Sequence, residues 1–316
     1  MLNTSVMIRD TAKKLLDQKR VDLIIGFETG TLPLRSTPCF VRTSEEAEKL
    51  IWNASCENNL ARYLWGRKEK VGIVAKGCDT RSIISLIKEK QVAREQVLII
   101  GIPCHGMIDR RKIEAKLDGK EILEADEATE RVILKGSDFT ETINKAEFLH
   151  NSCNTCSYRN PVIYDVLIGD KVEEKQGIDE YGEVKEFEAQ PADRRWQSFT
   201  NEVSKCIRCY ACRNACPLCY CQECFVDSSQ PQWIGKTTNL SDTSMFHIIR
   251  AFHTAGRCVD CGACDRACPM GIDIRKLTKK IEKDVKELFH YQAGVNLEDM
   301  PPLAAFSLDD PQQFIR

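Results

Sequence analysis

Eight of the seventeen cysteines in this chain of 316 residues repeat one pattern twice. In each copy three cysteines are three residues apart, a fourth follows four residues later, and proline comes next. The copies are Cys206, Cys209, Cys212 and Cys216 before Pro217, and Cys258, Cys261, Cys264 and Cys268 before Pro269. Thiolates at this spacing bind [4Fe-4S] clusters, and the fourth cysteine binds the partner cluster in two-cluster proteins. The predicted sets therefore cross: Cys206, Cys209, Cys212 and Cys268 form the first, and Cys258, Cys261, Cys264 and Cys216 the second.

Two structural zinc sites are the alternative interpretation of this repeat. Zinc ribbons usually offer two C-x2-C pairs to one tetrahedral ion, whereas each copy here is a quartet that ends in proline. The spacing thus favours two iron-sulfur clusters and electron transfer. Because single-electron transfer needs no acid or base, the sequence predicts no catalytic residue.

A third group of cysteines lies in the first half of the chain: Cys78, Cys104, Cys153 and Cys156. The first two directly follow predicted strands. The carboxyl ends of parallel strands meet at one edge of a sheet, so both thiols are expected in one crevice. The C-x2-C pair would complete a site for a third [4Fe-4S] cluster. The alternative is that the first two are ordinary buried residues and that the pair binds nothing.

Charged residues surround Cys78, and three of them are predicted to act on the bound cofactor: Lys76, Asp79 and Arg81. Hydrogen bonds and positive charge near a cluster raise its reduction potential. A surface ion pair is the competing interpretation.

Three more thiols separate the two quartets: Cys219, Cys221 and Cys224. A cluster normally needs four thiolates. Either these three bind a fourth cluster with one more thiol, such as Cys39 or Cys56, or they form a thiol-rich loop over a neighbouring cluster.

Hydrophobic patterning predicts the elements that position these residues. Val21–Phe27, Val71–Ala75 and Val97–Ile102 are typical of buried strands that alternate with helical patterns. This alternation predicts an α/β N-terminal domain with a mainly parallel sheet. Farther along, Met245, Phe246, Ile249 and Phe252 form one apolar helix face. A second helix carries Leu277, Ile281, Val285 and Leu288, with a Lys/Glu-rich face expected in solvent. The cluster motifs therefore lie in an α-helical dicluster ferredoxin domain.

The predicted organisation has four segments. They are an α/β domain with one cluster site over residues 1–170, a charged linker over 171–195, the helical dicluster domain over 196–292, and an extended tail over 293–316. A net charge of −2 and a pI of about 6.3 disfavour nucleic-acid binding. No apolar run approaches the length of a membrane span, and no signal peptide is evident. We therefore expect a cytoplasmic protein whose cysteines are reduced metal ligands.

Several of these segments resemble a known family: Gly77-Cys78, Ile100-Gly101-Ile102-Pro103-Cys104, Cys153-Asn154-Thr155-Cys156 and Tyr164-Asp165-Val166-Leu167-Ile168-Gly169-Asp170. They look like the beta-subunit family of coenzyme F(420) hydrogenases and dehydrogenases over roughly residues 20 to 224. The run from Cys206 to Cys224 is most similar to formate dehydrogenase beta subunits. The resemblance implies that Cys78, Cys104, Cys153 and Cys156 bind a cluster beside FAD, which exchanges hydride with the deazaflavin. The second quartet, through Ile274, resembles helical ferredoxin domains of heterodisulfide reductase and succinate dehydrogenase iron-sulfur subunits.

One departure concerns the flavin. Members that bind FAD usually carry Ser-Gly-Gly-x-x-Thr near the amino terminus, and Met1-Leu2-Asn3-Thr4-Ser5 offers no such sequence. Our first hypothesis is therefore an electron-transfer subunit of a multi-subunit anaerobic oxidoreductase with three or four [4Fe-4S] clusters. Its partners would be subunits of a formate dehydrogenase, a hydrogenase or a heterodisulfide reductase-like core. The alternative is an FAD-containing beta subunit that itself oxidises or reduces a deazaflavin or nicotinamide. A zinc-stabilised scaffold is a third, non-redox alternative.

Overall fold

The chain folds as an α/β region followed by a helical region, which confirms the predicted fold class. A computed structural model describes residues 2–174, 177–306, 308 and 310. Two compact units are found, Met1–Ile83 with Lys90–Ile178, and Ile84–Glu89 with Asp179–Arg316. The predicted domain boundaries at residues 170, 195 and 292 stay predictions.

The elements follow in chain order. The strands are Leu23–Thr29 (β1), Ser36–Val41 (β2), Val71–Ala75 (β3), Val97–Gly101 (β4), Glu124–Glu127 (β5), Arg131–Lys135 (β6), Thr140–Asn144 (β7) and Val166–Leu167 (β8). The α-helices are Leu2–Asp17 (α1), Gly77–Lys88 (α2), Arg110–Lys116 (α3), Asn151–Asn154 (α4), Gly182–Glu188 (α5), Ala192–Val203 (α6), Ala211–Ala215 (α7), Leu240–His253 (α8), Ala263–Arg266 (α9) and Arg275–Phe289 (α10).

One sheet of the first unit has the strand order β2-β1-β3-β4-β8. The strands β1, β3, β4 and β8 are parallel, and β2 pairs antiparallel with β1 at the edge. Every residue of β3 is buried, as its β-branched composition predicts. Ala75 is paired with Gly101, and the Ile102 amide donates to the Ala75 carbonyl at 2.9 Å. The segments that lead to Cys78 and Cys104 therefore both begin at the carboxyl ends of neighbouring parallel strands.

A second sheet, the antiparallel meander β5-β6-β7, was not predicted. Its strands are rich in charged residues and Thr, a composition that is more typical of a loop. In β6, Val132 and Leu134 are fully buried while Arg131 and Ile133 are exposed, so only one face of the strand is buried. The buried face packs with Ile113 of α3 and with other residues in a small core of its own.

The Lys/Glu-rich side of α10 is not the solvated face that we expected. Lys279, Glu282 and Lys283 are buried. They are accommodated because each has a partner: Lys279 Nζ lies 3.0 Å from a carboxylate oxygen of Asp260 and 2.9 Å from one of Glu282. Charged side chains enter a protein interior when they are paired in this way.

The segment predicted as a charged linker contains α5 and the start of α6, so it is not extended throughout. Val184 of α5 is buried. Glu180 pairs with Lys286, and Glu188 pairs with Lys280 and Lys283 of α10. The charges that looked like solvated loop are thus partners of α10. Residues 175 and 176 of this segment lie outside the described residues.

The buried face of α8 differs from the predicted one. Phe246 is buried, but Met245 and Phe252 are exposed, and His247 and Arg250 take their place in the interior. Of the predicted tail, residues 307, 309 and 311–316 lie outside the described residues. No helix within the described part of the chain combines the length and apolar character needed to cross a membrane.

A pair of substitutions in β6 tests the second sheet. Leu134→Ala removes a fully buried side chain, so we expect a loss of about 2–4 kcal/mol and a clearly lower thermal unfolding midpoint. Ile133→Ala is the matched control, because the neighbouring side chain is more than one-third exposed and should matter much less. Equal shifts in circular-dichroism melts of the two variants would contradict this arrangement of the strand.

Candidate iron-sulfur centres

The two repeated cysteine loops have the same backbone conformation. In each loop the second and fourth residues after the first cysteine have positive φ angles, which few residues other than glycine adopt. These angles are 57° at Arg208 and 58° at Tyr210, and 54° at Asp260 and 71° at Gly262. A short helix then begins directly, α7 in the first loop and α9 in the second. The sequence repeat is therefore also a structural repeat.

Backbone N–H groups point at several of the cysteine sulfurs. The Arg208 amide donates to Cys206 Sγ, and the Ile272 amide donates to Cys268 Sγ, both at 3.4 Å. Burial raises the pKa of the Cys258 thiol well above its usual value, and a hydrogen bond from the Asp260 amide opposes that rise. Such donors stabilise negative sulfur, which is the form that binds iron.

The first predicted set is gathered in the helical unit. Burial raises the pKa of Cys206, and the neighbouring thiols of Cys209 and Cys268 raise it further. Burial likewise raises the pKa of Cys212 to about 11, and Cys264, Cys206 and Cys268 add to that rise. Cys206, Cys212 and Cys268 also share one hydrophobic core. The four thiols of the first set are thus near neighbours, with Cys264 of the second set beside them.

The second predicted set surrounds a single cavity. Cys216, Cys258, Cys261 and Cys264 all line it, together with Arg250. Cys216 belongs to the first sequence copy, and the other three thiols belong to the second. The structure therefore brings together the same crossed combination that the spacing predicts.

Single-ion sites would look different. Within the described ranges, no three or more His, Cys, Asp or Glu side chains are closed around one metal position. Zinc sites place sulfur about 2.3 Å from one ion. A [4Fe-4S] cluster is larger and is held by thiolates at its corners, so a cavity lined by four cysteines fits it in donor chemistry and arrangement. The assignment of individual ligands stays a prediction.

In the α/β unit, the chain after Cys156 lies between the two strand ends. The Cys104 amide donates to the Arg159 carbonyl at 2.9 Å. A Cβ atom on Gly77 would lie 2.0 Å from the Tyr158 carbonyl oxygen, so only glycine permits this approach. The segments that carry Cys78, Cys104 and Cys156 therefore converge.

Cys153 joins this group through the loop after β4. Its sulfur accepts a hydrogen bond from the Met107 amide at 3.4 Å, and Cys104 Sγ accepts one from the Gly106 amide at the same distance. Burial raises the pKa of Cys104 to about 12, and Cys153 and Cys156 are close enough to contribute to that rise. The thiols of Cys104, Cys153 and Cys156 are thus close to one another.

The three charged residues predicted to act on that site have structural partners. Lys76 is buried and lies 3.0 Å from Asp79, whose other oxygen accepts from the Leu60 amide at 3.2 Å. Burial lowers the pKa of the Lys76 ammonium, but Asp79 and the thiols of Cys78 and Cys104 more than offset this. Arg81 stacks 4.3 Å from the Tyr158 ring. Lys76 and Asp79 therefore form a buried ion pair instead of a surface one, and an action on a cofactor stays a prediction.

The three thiols between the quartets have different surroundings. Cys219 interacts with Cys216, whose hydrogen bond lowers the pKa of Cys219. Cys224 packs against the core around Cys212, whereas Cys221 is exposed. Cys39 and Cys56 are buried in the first unit. Every cysteine of the chain lies among the described residues, and none forms a disulfide. A fourth cluster stays a prediction.

Sequence reasoning missed two buried arginines beside the quartets. Arg208 donates to the carbonyls of Asp242 and Gly235 at 2.7 and 3.2 Å, and Arg250 donates to the Cys212 carbonyl at 3.1 Å. The sequence indicates a link to the clusters only through their positions: Arg208 lies inside the first cysteine motif, and Arg250 lies on the helix between the motifs. Arginine is usually a surface residue, so that indication is weak.

Part of the helical unit matches an iron-sulfur domain family of the two-cluster type. Residues 202–272, which contain both quartets, match the family described as "4Fe-4S dicluster domain". The match supports bound 4Fe-4S clusters and a role in iron-sulfur electron transfer.

Relatives of the whole chain confirm the resemblance to dehydrogenase beta subunits. The chain is 24% identical to the F420-dependent formate dehydrogenase subunit beta of Methanocaldococcus jannaschii, with 92% of each chain covered. It is 23% identical to subunit beta of F420-dependent formate dehydrogenase 1 of Methanococcus maripaludis, with 92% of this chain and 91% of the relative covered.

A solved structure of the F420-reducing [NiFe] hydrogenase complex from Methanosarcina barkeri contains a chain with a distant likeness. Its TM-score is 0.35 and its identity is 13%, with 49% of this chain and 58% of that chain covered. The aligned part is thus somewhat more than half of that chain.

Gly77→Ala tests the convergence in the α/β unit. Because the added methyl would collide with main-chain oxygens of Tyr158 and Asn160, we expect the segment after Cys156 to move away. The variant should lose about four irons per chain if the site holds one cluster. Gly182→Ala is the control, since its Cβ would meet only ordinary contacts. Iron analysis after anaerobic purification measures both, and full iron in Gly77→Ala would contradict the predicted site.

Proposed function

We propose that this chain is the iron-sulfur electron-transfer subunit of a multi-subunit anaerobic oxidoreductase. It would relay single electrons through three or four [4Fe-4S] clusters between a catalytic or flavin-bearing subunit and an acceptor. The observation that carries the proposal is the cavity lined by Cys216, Cys258, Cys261 and Cys264 inside the matched dicluster domain. When bound, [4Fe-4S] clusters accept and release one electron at a time.

The protein residues would prepare the thiols for this task. Burial keeps Cys212 and Cys264 protonated in the absence of iron, with pKa values raised to about 11 and about 12. Binding of iron must therefore release protons from these thiols. The amides of Arg208 and Ile272 already point at sulfur, so they are positioned to stabilise the thiolates that result.

The two sets differ in their access to a partner. Ile207, between the first two cysteines of the first copy, is 53% exposed, whereas the equivalent Val259 in the second copy is 3% exposed. Cys209 of the first set and Met270, two residues after Cys268, are also exposed. Exposed apolar residues beside a cofactor suit the docking of another protein. The first set would therefore exchange electrons with another subunit, and the second set would lie deeper in the path.

The relatives favour one kind of complex. Both are named as beta subunits of F420-dependent formate dehydrogenases, and both are matched over nearly their full length. We infer that the partner of this chain is a formate dehydrogenase catalytic subunit or one closely similar to it. A hydrogenase or a heterodisulfide reductase-like core is the less favoured partner.

The description of both relatives as F420-dependent supports a second candidate function. An F420-dependent beta subunit would itself exchange hydride with the deazaflavin through bound FAD. The sequence contains no Ser-Gly-Gly-x-x-Thr stretch, which FAD-binding members of the resembled family usually carry, and this argues against the second function.

The visible spectrum of anaerobically purified protein distinguishes the candidates. We expect broad absorbance that bleaches on reduction, iron and sulfide for at least two clusters, and no flavin in an acid extract. Stoichiometric FAD would favour the second candidate. Zinc in place of iron would contradict both and support a scaffold.

Paired cysteine substitutions test the crossed ligand sets. Cys206→Ala with Cys268→Ala removes two thiols of one set, so we expect a loss of one cluster, or about four irons per chain. Cys206→Ala with Cys216→Ala removes one thiol from each set, so we expect damage to both clusters, or a loss of about eight irons. Iron and sulfide analysis measures the difference.

Each double variant is the matched control for the other, because both remove two buried or half-buried thiols. Uncrossed sets would reverse the order of the losses, and equal losses would contradict the assignment of separate sets.

A further inference from the structure

Arg250 occupies an unusual place in the helical unit. It lies near the end of α8, the helix that joins the two cysteine copies, and it is 4% exposed. Its Nη2 donates to the main-chain carbonyl of Cys212, a cysteine of the first set. The same side chain lines the cavity formed by the second set. One buried guanidinium therefore faces both sets.

The electrostatics agree with this position. Burial lowers the pKa of Arg250, yet the thiols of Cys264, Cys216, Cys219 and Cys212 more than offset that effect. Arginine is charged at all ordinary pH values, so the side chain is a fixed cation in the interior. Burial of an unpaired charge is unfavourable, and the groups that chiefly offset its burial here are thiols.

The hydrogen bonding of Arg250 is also incomplete. Its buried Nε has no hydrogen-bond partner within the described part of the chain. His247, one turn earlier on α8, brings no second charge, because burial and then Arg250 and Arg208 lower its pKa to about 4. The guanidinium thus presents an unused donor and a positive charge for which the described residues provide no carboxylate within ion-pair distance.

We propose that Arg250 is a shared positioning cation that sets the reduction potentials of both clusters of the dicluster domain. This inference rests on the proposed function. Reduction adds one negative charge to a cluster, so a cation in a low-dielectric interior stabilises the reduced form. Because Arg250 faces both sets, it raises both potentials together.

The test is a potentiometric titration of the complete chain, followed by electron paramagnetic resonance. We expect Arg250→Gln to shift both midpoint potentials to more negative values, and Arg250→Lys, which keeps the charge, to shift both much less. Arg257→Gln is the control. Arg257 precedes Cys258 but is partly exposed and is paired with Glu89 at 2.7 Å, so its loss should have a small effect.

Three outcomes decide the inference. A negative shift of both potentials in Arg250→Gln, larger than in Arg257→Gln, supports it. A shift of one potential alone, or of neither, overturns it. If Arg250→Gln fails to assemble both clusters, Arg250→Lys decides: a small shift of both potentials in the same direction supports the shared role, and a shift of one potential alone, or of neither, overturns it. Iron analysis of the unaltered chain separates these results from a failure of the proposed function, in which no dicluster signal would exist.

Discussion

The contact between the short helices α7 and α9 is the interaction on which the helical unit depends. Each helix follows one cysteine loop and leads to the fourth cysteine of its copy: Cys216 ends α7, and Cys268 follows α9 closely. In the predicted crossed sets, each set takes its fourth thiol from the other copy. On that prediction, neither copy surrounds a cluster alone. The packing of α7 with α9 would then have to form before either set is complete.

Buried ion pairs connect the second cysteine loop to α10. Asp260 lies inside the second cysteine loop, where Arg275 holds its carboxylate at 2.7 and 2.8 Å and Lys279 approaches to 3.0 Å. Burial raises the pKa of Asp260, but the two cations more than offset it, so the group is ionised. Removal of one partner would leave an unpaired buried charge, which is strongly unfavourable. These ion pairs thus hold the loop against α10. Some charged residues of α10 are therefore paired in the interior, and others lie at the surface.

Local sequence predicts some parts of this molecule and not others. The strands β3 and β4 and the helices α8 and α10 carry strong periodicity or β-branched runs, and the cysteine spacing alone predicts the crossed sets. The sheet of β5, β6 and β7 was missed because only one face is apolar, as Val132 and Leu134 show. The convergence at Gly77 depends on a segment more than eighty positions away, Tyr158–Asn160, which no local pattern encodes. Arg250 was missed for a related reason, since a charge on an apolar helix face signals burial only when its partners are known.

The two cysteine loops share a backbone conformation, but their neighbouring side chains differ in charge and exposure. The residue two places after the first cysteine is Arg208 in one loop and Asp260 in the other, and both have the same left-handed conformation. The intervening neighbours are exposed Ile207 in one loop and buried Val259 in the other. Backbone geometry is therefore repeated, while charge and access to solvent are set separately by the residues between the cysteines. Because reduction potential depends on nearby charge and on exposure, clusters bound in these two loops would have different potentials.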